Sequence, residues 1–600
     1  MDAALFSFLA FVSIHIVSAS VVNTTIGEIQ GTELLRFGVE TFLGIPYAEA
    51  PVGSLRFKPP VRKNRMDSTY QAVTNEYICP QERDLIVRTG NVTITEDCLR
   101  LDIYKPFQAS KNKPVPVMIW IHGGSFITGD SQSYNGVSLA TDYDVIVVVI
   151  NYRLGIFGFL DTLDENAVGN FGLRDQCSAI EWVSENIEEF GGNSSSVTIF
   201  GESAGSACAM QLALSSLCYG KFHRIVAQSG TAWNLWSHNR QPLKLARDTA
   251  TKAGCPKKTG PLVKCLREKP MQELVRLQTS QFIWLPTYRP DVFPEDPISV
   301  MKSPASSDVL NRFRSLDLLI GVNNEEGEFA ITFEITGQIF GTITNKSAAL
   351  ISDDALDGRM RSNLEIFVTQ DYNITKNLLP MLKYEYTDWK NLEELFANTR
   401  TINRFMGDLL FVVNAVQAAR YHAGDVASPQ GAYHSGNTYF YQFVHKSSWL
   451  PVYPWTDGAT HGDELQYLFG FPDPSNATPE ETLLSKTVKE YWTNFAKTGS
   501  PNTPNRSYIQ TTWPLFNTAT QRYVKLDVNM SHDSTSKYPY ARRVALWECL
   551  VPAQEKAFEK SRNIVDDTKC NTATKTIGSI AYGCLLHVVI TAGINVRNFL

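Results

Sequence analysis

The chain has little net charge, no internal repeat, and no linker or low-complexity stretch between about residues 21 and 559. Its 600 residues carry a formal net charge of −6, which argues against a nucleic-acid partner. The 38 glycines follow no three-residue period and 43% of the residues are hydrophobic, so collagen-like and wholly disordered chains are excluded. Ten cysteines are too few for a disulfide-stapled miniprotein. The sequence therefore predicts a globular protein with a large core.

The N-terminal segment lacks lysine and arginine but otherwise has the pattern of a secretory signal. Residues 5–17 (LFSFLAFVSIHIV) form an apolar run that is too short to span a bilayer. The small residues Ser18, Ala19 and Ser20 follow it, as at a cleavage site. We interpret residues 1–20 as a signal peptide, with a buried N-terminal strand as the alternative.

Export predicts glycosylation, and the sequence contains eight N-x-[ST] sequons. One of them, Asn193, lies within a motif described below and is expected to be too enclosed for modification. The sites that we expect to be modified are Asn23, Asn91, Asn345, Asn373, Asn476, Asn505 and Asn529.

The C-terminal segment is hydrophobic and follows a polar stretch. Residues 577–594 (IGSIAYGCLLHVVITAGI) contain no Asp, Glu, Lys or Arg, and their number is at the lower limit for a membrane span. Residues 559–576 form a polar stem that includes the small residues after Cys570. Small residues, a polar spacer and a hydrophobic tail are typical of a GPI-anchor signal. We expect residues 577–600 to be such a signal or a single-pass membrane anchor, which predicts an extracellular protein attached to the cell surface. A buried final helix is the alternative.

Strand-like apolar runs alternate with helical patterns along the body of the chain. Residues 115–121 (VPVMIWI) and 145–150 (VIVVVI) are apolar on both faces, which is typical of buried parallel strands. Further strands are predicted at residues 197–200, 225–228, 316–322 and 439–443, and helices at residues 174–189 and 204–214. This alternation predicts an α/β fold, with a mostly parallel sheet and helices on both faces. We expect one large catalytic domain over residues 21–558.

A candidate nucleophile lies between a predicted strand and a predicted helix. Residues 201–205 (GESAG) follow the strand VTIF, and the glycines leave room for a sharp turn that exposes the Ser203 hydroxyl. A helix N-cap serine is the structural alternative. A serine needs a base and an orienting acid. We assign the base to His461, in HGDEL, and the acid to Glu326, in a loop after a strand, with an ordinary solvated loop as the alternative for Glu326. His434 and His445 flank a strand and are more plausible as surface residues.

The oxyanion hole requires backbone N–H groups that point at the tetrahedral intermediate. His122-Gly123-Gly124 follows the strand VPVMIWI, where such a motif belongs. Gly123, Gly124 and Ala204 are the predicted donors.

Several blocks together resemble the type-B carboxylesterase/cholinesterase family over residues 23–552. They are the serine-site segment 190–205, and residues 42–60, 96–104, 151–160 and 169–176. The resemblance implies the α/β-hydrolase fold, supports Glu326 and His461 as triad members, and implies two disulfides, Cys79–Cys98 and Cys255–Cys265. The pairing of Cys177, Cys208, Cys218, Cys549 and Cys570 stays open, and Cys570 could link a homodimer. One departure is Arg100, where the family usually has an aromatic residue or threonine.

The substrate expectation rests on the first disulfide loop. In cholinesterases a tryptophan in this loop holds the choline ammonium, but residues 80–97 contain no aromatic residue and include Arg83 and Arg88. Trp236, Phe282 and Trp284 are either walls of an acyl pocket or ordinary core. The sequence favours a carboxylesterase that acts on a small-molecule ester through an acyl-Ser203 intermediate, with no metal and no cofactor. The alternatives are a cholinesterase and a non-catalytic adhesion protein like the neuroligins, which typically lose a triad residue.

Overall fold

The computed structural model describes most of the chain between Ile16 and Thr568. The described residues are 16–83, 92–278, 284–302, 307–337, 342–368, 372–424, 436–470, 474–503, 509 and 511–568. Asn91, Asn505, Phe282, His434 and the predicted tail of residues 577–600 lie outside these ranges. The chain divides into two compact units, Met1–Val544 and Ala545–Leu600, so the first unit ends before the predicted domain boundary at residue 558.

Fifteen strands are assigned within the described residues, and all belong to the first unit. They are β1 (Ile16–Thr24), β2 (Gly27–Leu34), β3 (Val39–Pro46), β4 (Tyr70–Gln71), β5 (Tyr77–Ile78), β6 (Thr93–Ile94), β7 (Arg100–Pro106), β8 (Val115–Ile121), β9 (Ile146–Ile150), β10 (Gly192–Glu202), β11 (Arg224–Gln228), β12 (Asp317–Asn323), β13 (Thr438–Phe443), β14 (Arg522–Leu526) and β15 (Thr535–Lys537).

Thirteen of these strands form one sheet, in the order β1-β2-β3-β7-β9-β8-β10-β11-β12-β13-β14-β15, with β4 beside β2. The run from β9 through β8 and on to β14 is parallel throughout. The strands at both margins pair antiparallel, apart from β4, which is parallel to β2. The predicted α/β architecture with a mostly parallel sheet is thus confirmed, and the antiparallel margins are an addition to it.

The central strands are buried on both faces, as their sequences predict. Along β8, Val117, Ile119 and Ile121 point into one core, whereas Met118 and Trp120 point into another. Successive side chains of a strand point to opposite faces, so two apolar layers enclose the sheet.

Eighteen α-helices are assigned within the described residues. They are α1 (Val137–Tyr143), α2 (Gly155–Phe159), α3 (Phe171–Asn186), α4 (Ala204–Leu214), α5 (Pro242–Lys252), α6 (Thr259–Glu268), α7 (Met271–Arg276), α8 (Pro297–Lys302), α9 (Asp308–Arg314), α10 (Glu328–Thr336), α11 (Asp353–Phe367), α12 (Tyr372–Tyr386), α13 (Ala397–Gly407), α14 (Val413–His422), α15 (Leu465–Phe469), α16 (Pro479–Thr498), α17 (Ala541–Ala545) and α18 (Val551–Thr568). Helices α3 and α4 belong to one core, and α1 and α16 belong to the other. The second unit, where it is described, consists of a π-helical turn, Leu546–Leu550, and α18.

Two disulfides are formed within the described residues, Cys79–Cys98 and Cys255–Cys265, and these are the pairs that the family resemblance implies. Arg100 follows the first of them. Its guanidinium donates to Asp97 Oδ2 at 2.8 Å and lies 4.5 Å from the centre of the Tyr77 ring. The residue that departs from the family pattern therefore secures the base of the first disulfide loop.

The structure describes part of the predicted signal peptide and several of the predicted glycosylation sites. Strand β1 begins at Ile16, so its first residues overlap the segment interpreted as a signal peptide. Asn23, Asn345, Asn476 and Asn529 are exposed. Asn373 lies in α12, and Asn193 is half-buried. No helix within the described ranges is both long enough and apolar enough to cross a bilayer.

Candidate active site

Ser203 lies in a sharp turn between β10 and α4. Its backbone angles are φ 56° and ψ −122°, a conformation that a residue with a side chain rarely adopts. A Cβ atom on Gly205 would lie 2.0 Å from the carbonyl oxygen of Ile121, so the turn tolerates only glycine there. The Ser203 N–H donates to the carbonyl of Gln228 at 2.8 Å, which ties the turn to β11. The turn has the geometry of a nucleophile elbow, as the motif predicts.

His461 and Glu326 meet although they are far apart in the sequence. His461 Nδ1 lies 2.6 Å from Glu326 Oε2. The other carboxylate oxygen, Oε1, accepts from the Ser229 hydroxyl at 2.5 Å and from the Asn323 N–H at 2.7 Å. A carboxylate that accepts all these bonds holds the imidazole in one orientation, with Nε2 directed away from Glu326.

Nε2 of His461 lies 3.0 Å from Glu202 Oε1. The two atoms are at ion-pair distance, but their angles do not form a hydrogen bond, and Nε2 has no hydrogen-bond partner among the described residues. In this structure Glu326 therefore contacts His461, but Ser203 and His461 do not form a hydrogen bond. Catalytic hydrogen bonds are often long without substrate and tighten when it binds.

Buried carboxylates surround His461 and change its protonation. Burial would lower the pKa of His461, but the charges of Glu202 and Glu326 overcome this effect and raise the pKa to about 9. Burial raises the pKa of Glu202 to about 8, although the nearby His461 opposes this shift. Both groups hold a proton more strongly than in water, the imidazole because of its anionic neighbours and Glu202 because of its burial.

A further buried carboxylate was not predicted as part of the site. Glu464 Oε1 accepts from Gln228 Nε2 at 2.9 Å, and its Oε2 accepts from Asn323 Nδ2 at 2.6 Å. Gln228 and Asn323 end strands β11 and β12, so Glu464 links the loop of His461 to the sheet. In the sequence, only its position three residues after His461 pointed to a role of Glu464 in the site.

The predicted oxyanion loop borders the nucleophile. A Cβ atom on Gly123 would lie 2.7 Å from the carbonyl oxygen of Glu202 and 3.2 Å from Ser203 Cβ, which requires glycine at this position. Gly124 follows with φ +102° and its carbonyl accepts from the N–H groups of Ile127 and Thr128, both at 3.0 Å. Ala204 is the first residue of α4. Helix N-termini favour developing negative charge.

Two phenylalanine rings, which the sequence analysis did not identify, enclose His461. The ring centre of Phe329, on α10, lies 5.0 Å from that of His461, and that of Phe411 lies 4.5 Å away. Phe411 belongs to a π-helical turn, Asp408–Val412, between α13 and α14. Trp236 packs against Phe411 and donates its Nε1 to the carbonyl of Leu410 at 2.7 Å. His461 therefore lies against a cluster of aromatic side chains that come from three separate regions of the chain.

The sequence comparisons agree with this geometry. The model of the carboxylesterase family matches residues 18–547, nearly the whole described chain. The chain belongs to the carboxylesterase family. Human carboxylesterase 5A is 34% identical over 88% of this chain and 89% of its own length, and human neuroligin-2 is 35% identical over 89% of this chain and 68% of its own. Feline carboxylesterase 5A is 34% identical over 86% of this chain and 91% of its own length.

A cavity of about 1000 Å³ lies beside the site of this carboxylesterase-family chain. Its lining includes three apolar side chains, those of Trp236, Phe329 and Leu410. It also includes three basic side chains, those of Arg240, Lys244 and Arg359. Ser203 and His461 do not line the cavity, but Phe329 lines it and also packs against the His461 ring. Trp236 lines this cavity, whereas Trp284 is only 1% exposed, and the assignment of Trp236 to an acyl pocket stays a prediction.

Proposed function

We propose that the chain is a serine carboxylesterase that hydrolyses small-molecule esters. The proposal rests on the contact between Glu326 and His461. This contact lies beyond the carboxyl ends of the parallel strands, as does the strained turn of Ser203. Each of the three groups follows the carboxyl end of a parallel strand or lies in a loop beyond one. Such edges are where α/β sheets hold their reactive groups.

The reaction proceeds through an acyl-enzyme. Ser203 Oγ attacks the ester carbonyl while His461 Nε2, after leaving Glu202, takes the hydroxyl proton. The oxyanion accepts hydrogen bonds from the N–H groups of Gly123, Gly124 and Ala204. His461 then gives the proton to the leaving alcohol. A water molecule, activated by the same imidazole, attacks the acyl-Ser203 carbonyl and releases the carboxylic acid.

A general ester is a better substrate class than a choline ester. Residues 80–97 contain no aromatic side chain that could hold a quaternary ammonium. The cavity beside Phe329 has room for a bulky acyl or alcohol group. Aryl and alkyl esters are therefore the proposed substrates, and hydrolysis of acetylthiocholine is expected to be no faster than that of a comparable thioester without charge.

Adhesion is the second candidate function, because neuroligin-2 matches the chain as well as carboxylesterase 5A does. The esterase is favoured because the chain has all three triad residues, Ser203, Glu326 and His461. For either function we propose export and attachment to the cell surface through residues 577–600. The two disulfides support export, because such bonds persist in oxidising compartments.

The decisive experiment compares short-chain aryl ester hydrolysis by the wild type and by Ser203→Ala. We expect turnover to fall by about 10⁴-fold or more, because the acyl-enzyme cannot form. Ser215→Ala is the matched control: its hydroxyl donates to the carbonyl of Leu212 at the far end of α4, so activity should be kept.

Covalent labelling separates the two candidate functions. We expect a phosphonate ester to modify Ser203 in the wild type, which mass spectrometry of the tryptic peptides would detect. A folded wild type that neither hydrolyses esters nor accepts the phosphonate would overturn the esterase and favour adhesion. Full activity in Ser203→Ala would show that the assigned nucleophile is wrong.

A further inference from the structure

A strongly basic segment, residues 240–276, lies outside the active site. It contains ten lysines and arginines and three aspartates and glutamates, whereas the whole chain has 55 and 61. The segment comprises α5, α6 and α7, and all of its residues are described. Its exposed basic residues are Arg240, Lys244, Arg247, Lys252, Lys257, Lys258, Lys264 and Arg276. A chain that is acidic as a whole therefore carries a surface of the opposite charge.

The helix register of α5 gathers the first group of these cations. Lys244, Asp248 and Lys252 follow one another at intervals of four residues, so they lie on one face of the helix. Arg247 lies beside them, one residue before Asp248. Arg240, Lys244 and Lys252 also line the same cavity. The exposed face of α5 is therefore basic along its whole length.

The second group lies in the loop that the Cys255–Cys265 disulfide closes. Residues 256–264 (PKKTGPLVK) contain no acidic residue, and their basic residues are Lys257, Lys258 and Lys264. The Cys255 N–H donates to the carbonyl of Ala250, in α5, at 2.7 Å. The disulfide and this hydrogen bond hold the loop against the end of α5, so the two groups of cations form one surface.

The acidic residues of the segment leave most of this charge unpaired. Asp248 Oδ2 accepts from Lys244 Nζ at 2.8 Å, and Glu273 Oε1 accepts from Lys269 Nζ at 2.9 Å. The first of these pairs is exposed to solvent, where an ion pair is weak. Within the described residues no ion pair is formed by the other exposed cations, Arg240, Arg247, Lys252, Lys257, Lys258, Lys264 and Arg276. Their side chains are therefore available to an anionic ligand.

We propose that residues 240–276 bind a linear sulfated polysaccharide outside the cell. Such a polymer carries sulfate groups along its length, so one chain can pair with cations that are spread over α5 and the disulfide loop. The disulfide fixes part of the surface before binding, which reduces the entropy lost on association. None of the eight sequons falls within the segment. The proposal is independent of ester hydrolysis.

A lipid surface fits the segment less well. Helices that lie on membranes combine basic residues with large apolar side chains that enter the bilayer. No large hydrophobic side chain of residues 240–276 is exposed. The apolar residues of α5 and α6 that are buried in the core include Ala246, Ala250, Leu262, Val263 and Leu266. The surface therefore offers charge without an apolar anchor.

Heparin, a sulfated polysaccharide, is the probe for the first test. The purified wild type is eluted by a salt gradient, at neutral pH, from immobilised heparin and from a plain sulfopropyl exchanger. We expect elution from heparin at the higher salt concentration, because the polymer can follow both groups of cations while the net charge of −6 opposes retention by the exchanger. Elution from heparin at the same or a lower salt concentration would overturn the proposal.

Charge-neutralising variants locate the site. One replaces the loop cations (Lys257→Gln, Lys258→Gln, Lys264→Gln), and the other replaces those of α5 (Lys244→Gln, Arg247→Gln, Lys252→Gln). Each should bind a heparin oligosaccharide about tenfold or more weakly, and the slope of log affinity against log salt should become shallower by about 2 to 3. The melting temperatures should stay at the wild-type value, because these side chains are exposed.

The matched control removes the same amount of charge from exposed positions elsewhere, with Lys346→Gln, Lys390→Gln and Lys525→Gln. It should bind heparin like the wild type. An equal loss of affinity in this control would show that only the net charge matters, and would overturn the assignment to residues 240–276. Binding of the wild type to phosphatidylserine vesicles without retention on heparin would overturn it too, in favour of a lipid surface.

Discussion

At the scale of single residues, the protonation of His461 depends on its carboxylate neighbours. Glu326 contacts the imidazole at Nδ1, whereas Glu202 lies beside Nε2, the atom that accepts the Ser203 proton in the proposed mechanism. The charge of Glu202 is the main cause that raises the pKa of His461, against the effect of burial. In the proposed mechanism, Glu202 therefore sets the pH above which His461 can act as the base.

Glu202→Gln should move the acid limb of the kcat/KM profile to lower pH. A neutral amide no longer stabilises the imidazolium, so the His461 pKa falls from about 9 and the neutral imidazole is available at lower pH. We expect a shift of about one unit or more, measured with an aryl ester over about pH 5 to pH 10. Glu464→Gln, which removes a more distant charge, should shift the limb less. An unchanged limb, or one at higher pH, would contradict this account.

The sequence indicates candidate site residues where their signal is local. Ser203 is recognisable because its motif, the preceding strand and the following helix are contiguous in the chain. Phe329, Phe411 and Ser229 were missed, because each comes from a different element and contacts His461 or Glu326 only after the sheet has formed. The contact of Nε2 with Glu202 was also missed, since a motif gives residue types but not side-chain orientation.

At the scale of elements, α16 shows how a helix is fixed at its start. The Thr478 hydroxyl accepts from the Glu481 N–H at 3.2 Å, and Glu481 Oε2 accepts from the Thr478 N–H at 2.8 Å. Glu481 also accepts from the Ser448 N–H at 2.8 Å, and its Oε1 lies 3.1 Å from His445 Nε2. This capping box therefore anchors the helix to the loop after β13.

Glu481→Gln should lower the free energy of unfolding by about 1–3 kcal/mol near neutral pH, because an amide cannot satisfy all these donors. Burial opposes ionisation, but the bonds from Thr478, His445 and Ser448 lower the Glu481 pKa from 4.5 to about 2. The stabilisation is therefore present above the ordinary pKa and is lost as the pH falls toward about 2.

Urea unfolding of the wild type and of Glu481→Gln, at about pH 7 and about pH 3, measures this effect. The difference between the two proteins should shrink at the lower pH. Glu480→Gln, an exposed neighbour in the same helical turn, is the control and should change stability little. A difference that is constant or larger in acid would contradict the role of the carboxylate.

Strands and helices whose sequences have one clear hydrophobic pattern were predicted close to their observed bounds. The runs at β8 and β9 have apolar residues on both faces, and the structure places strands there within one residue of the predicted bounds. The helix predicted at residues 174–189 is α3, which ends at Asn186 before a short 3₁₀ turn, Ile187–Phe190. The antiparallel margins and the π-helical turn were not predicted, because short strands and a wider helical turn leave no distinctive periodicity.

At the scale of the whole molecule, the family match establishes the fold more firmly than the activity. Carboxylesterase 5A and neuroligin-2 resemble the chain to the same degree, so the fold is compatible with more than one function. The site geometry, rather than the overall match, supports the esterase. The match ends at residue 547, and the proposed stem and tail lie beyond it.

We expect the full chain, expressed in animal cells, to be held at the cell surface and released by a phosphatidylinositol-specific phospholipase C. Such release is the property of a lipid anchor that has replaced residues 577–600. A chain that ends after Thr568 is the control and should be found in the medium. Retention after phospholipase treatment would instead indicate a single-pass helix, and free secretion of the full chain would exclude both kinds of anchor.

The strand order has a consequence for synthesis on the ribosome. Glu326 follows β12 and His461 follows β13, and these adjacent strands are separated in the chain by α10 through α14. The turn of Ser203 is therefore translated long before His461, and the edge of β12 stays open until β13 emerges. A nascent chain that stops before His461 contains the Ser203 motif but lacks the base that the proposed mechanism requires. Onset of phosphonate labelling during translation would thus mark the moment at which the C-terminal half of the sheet closes.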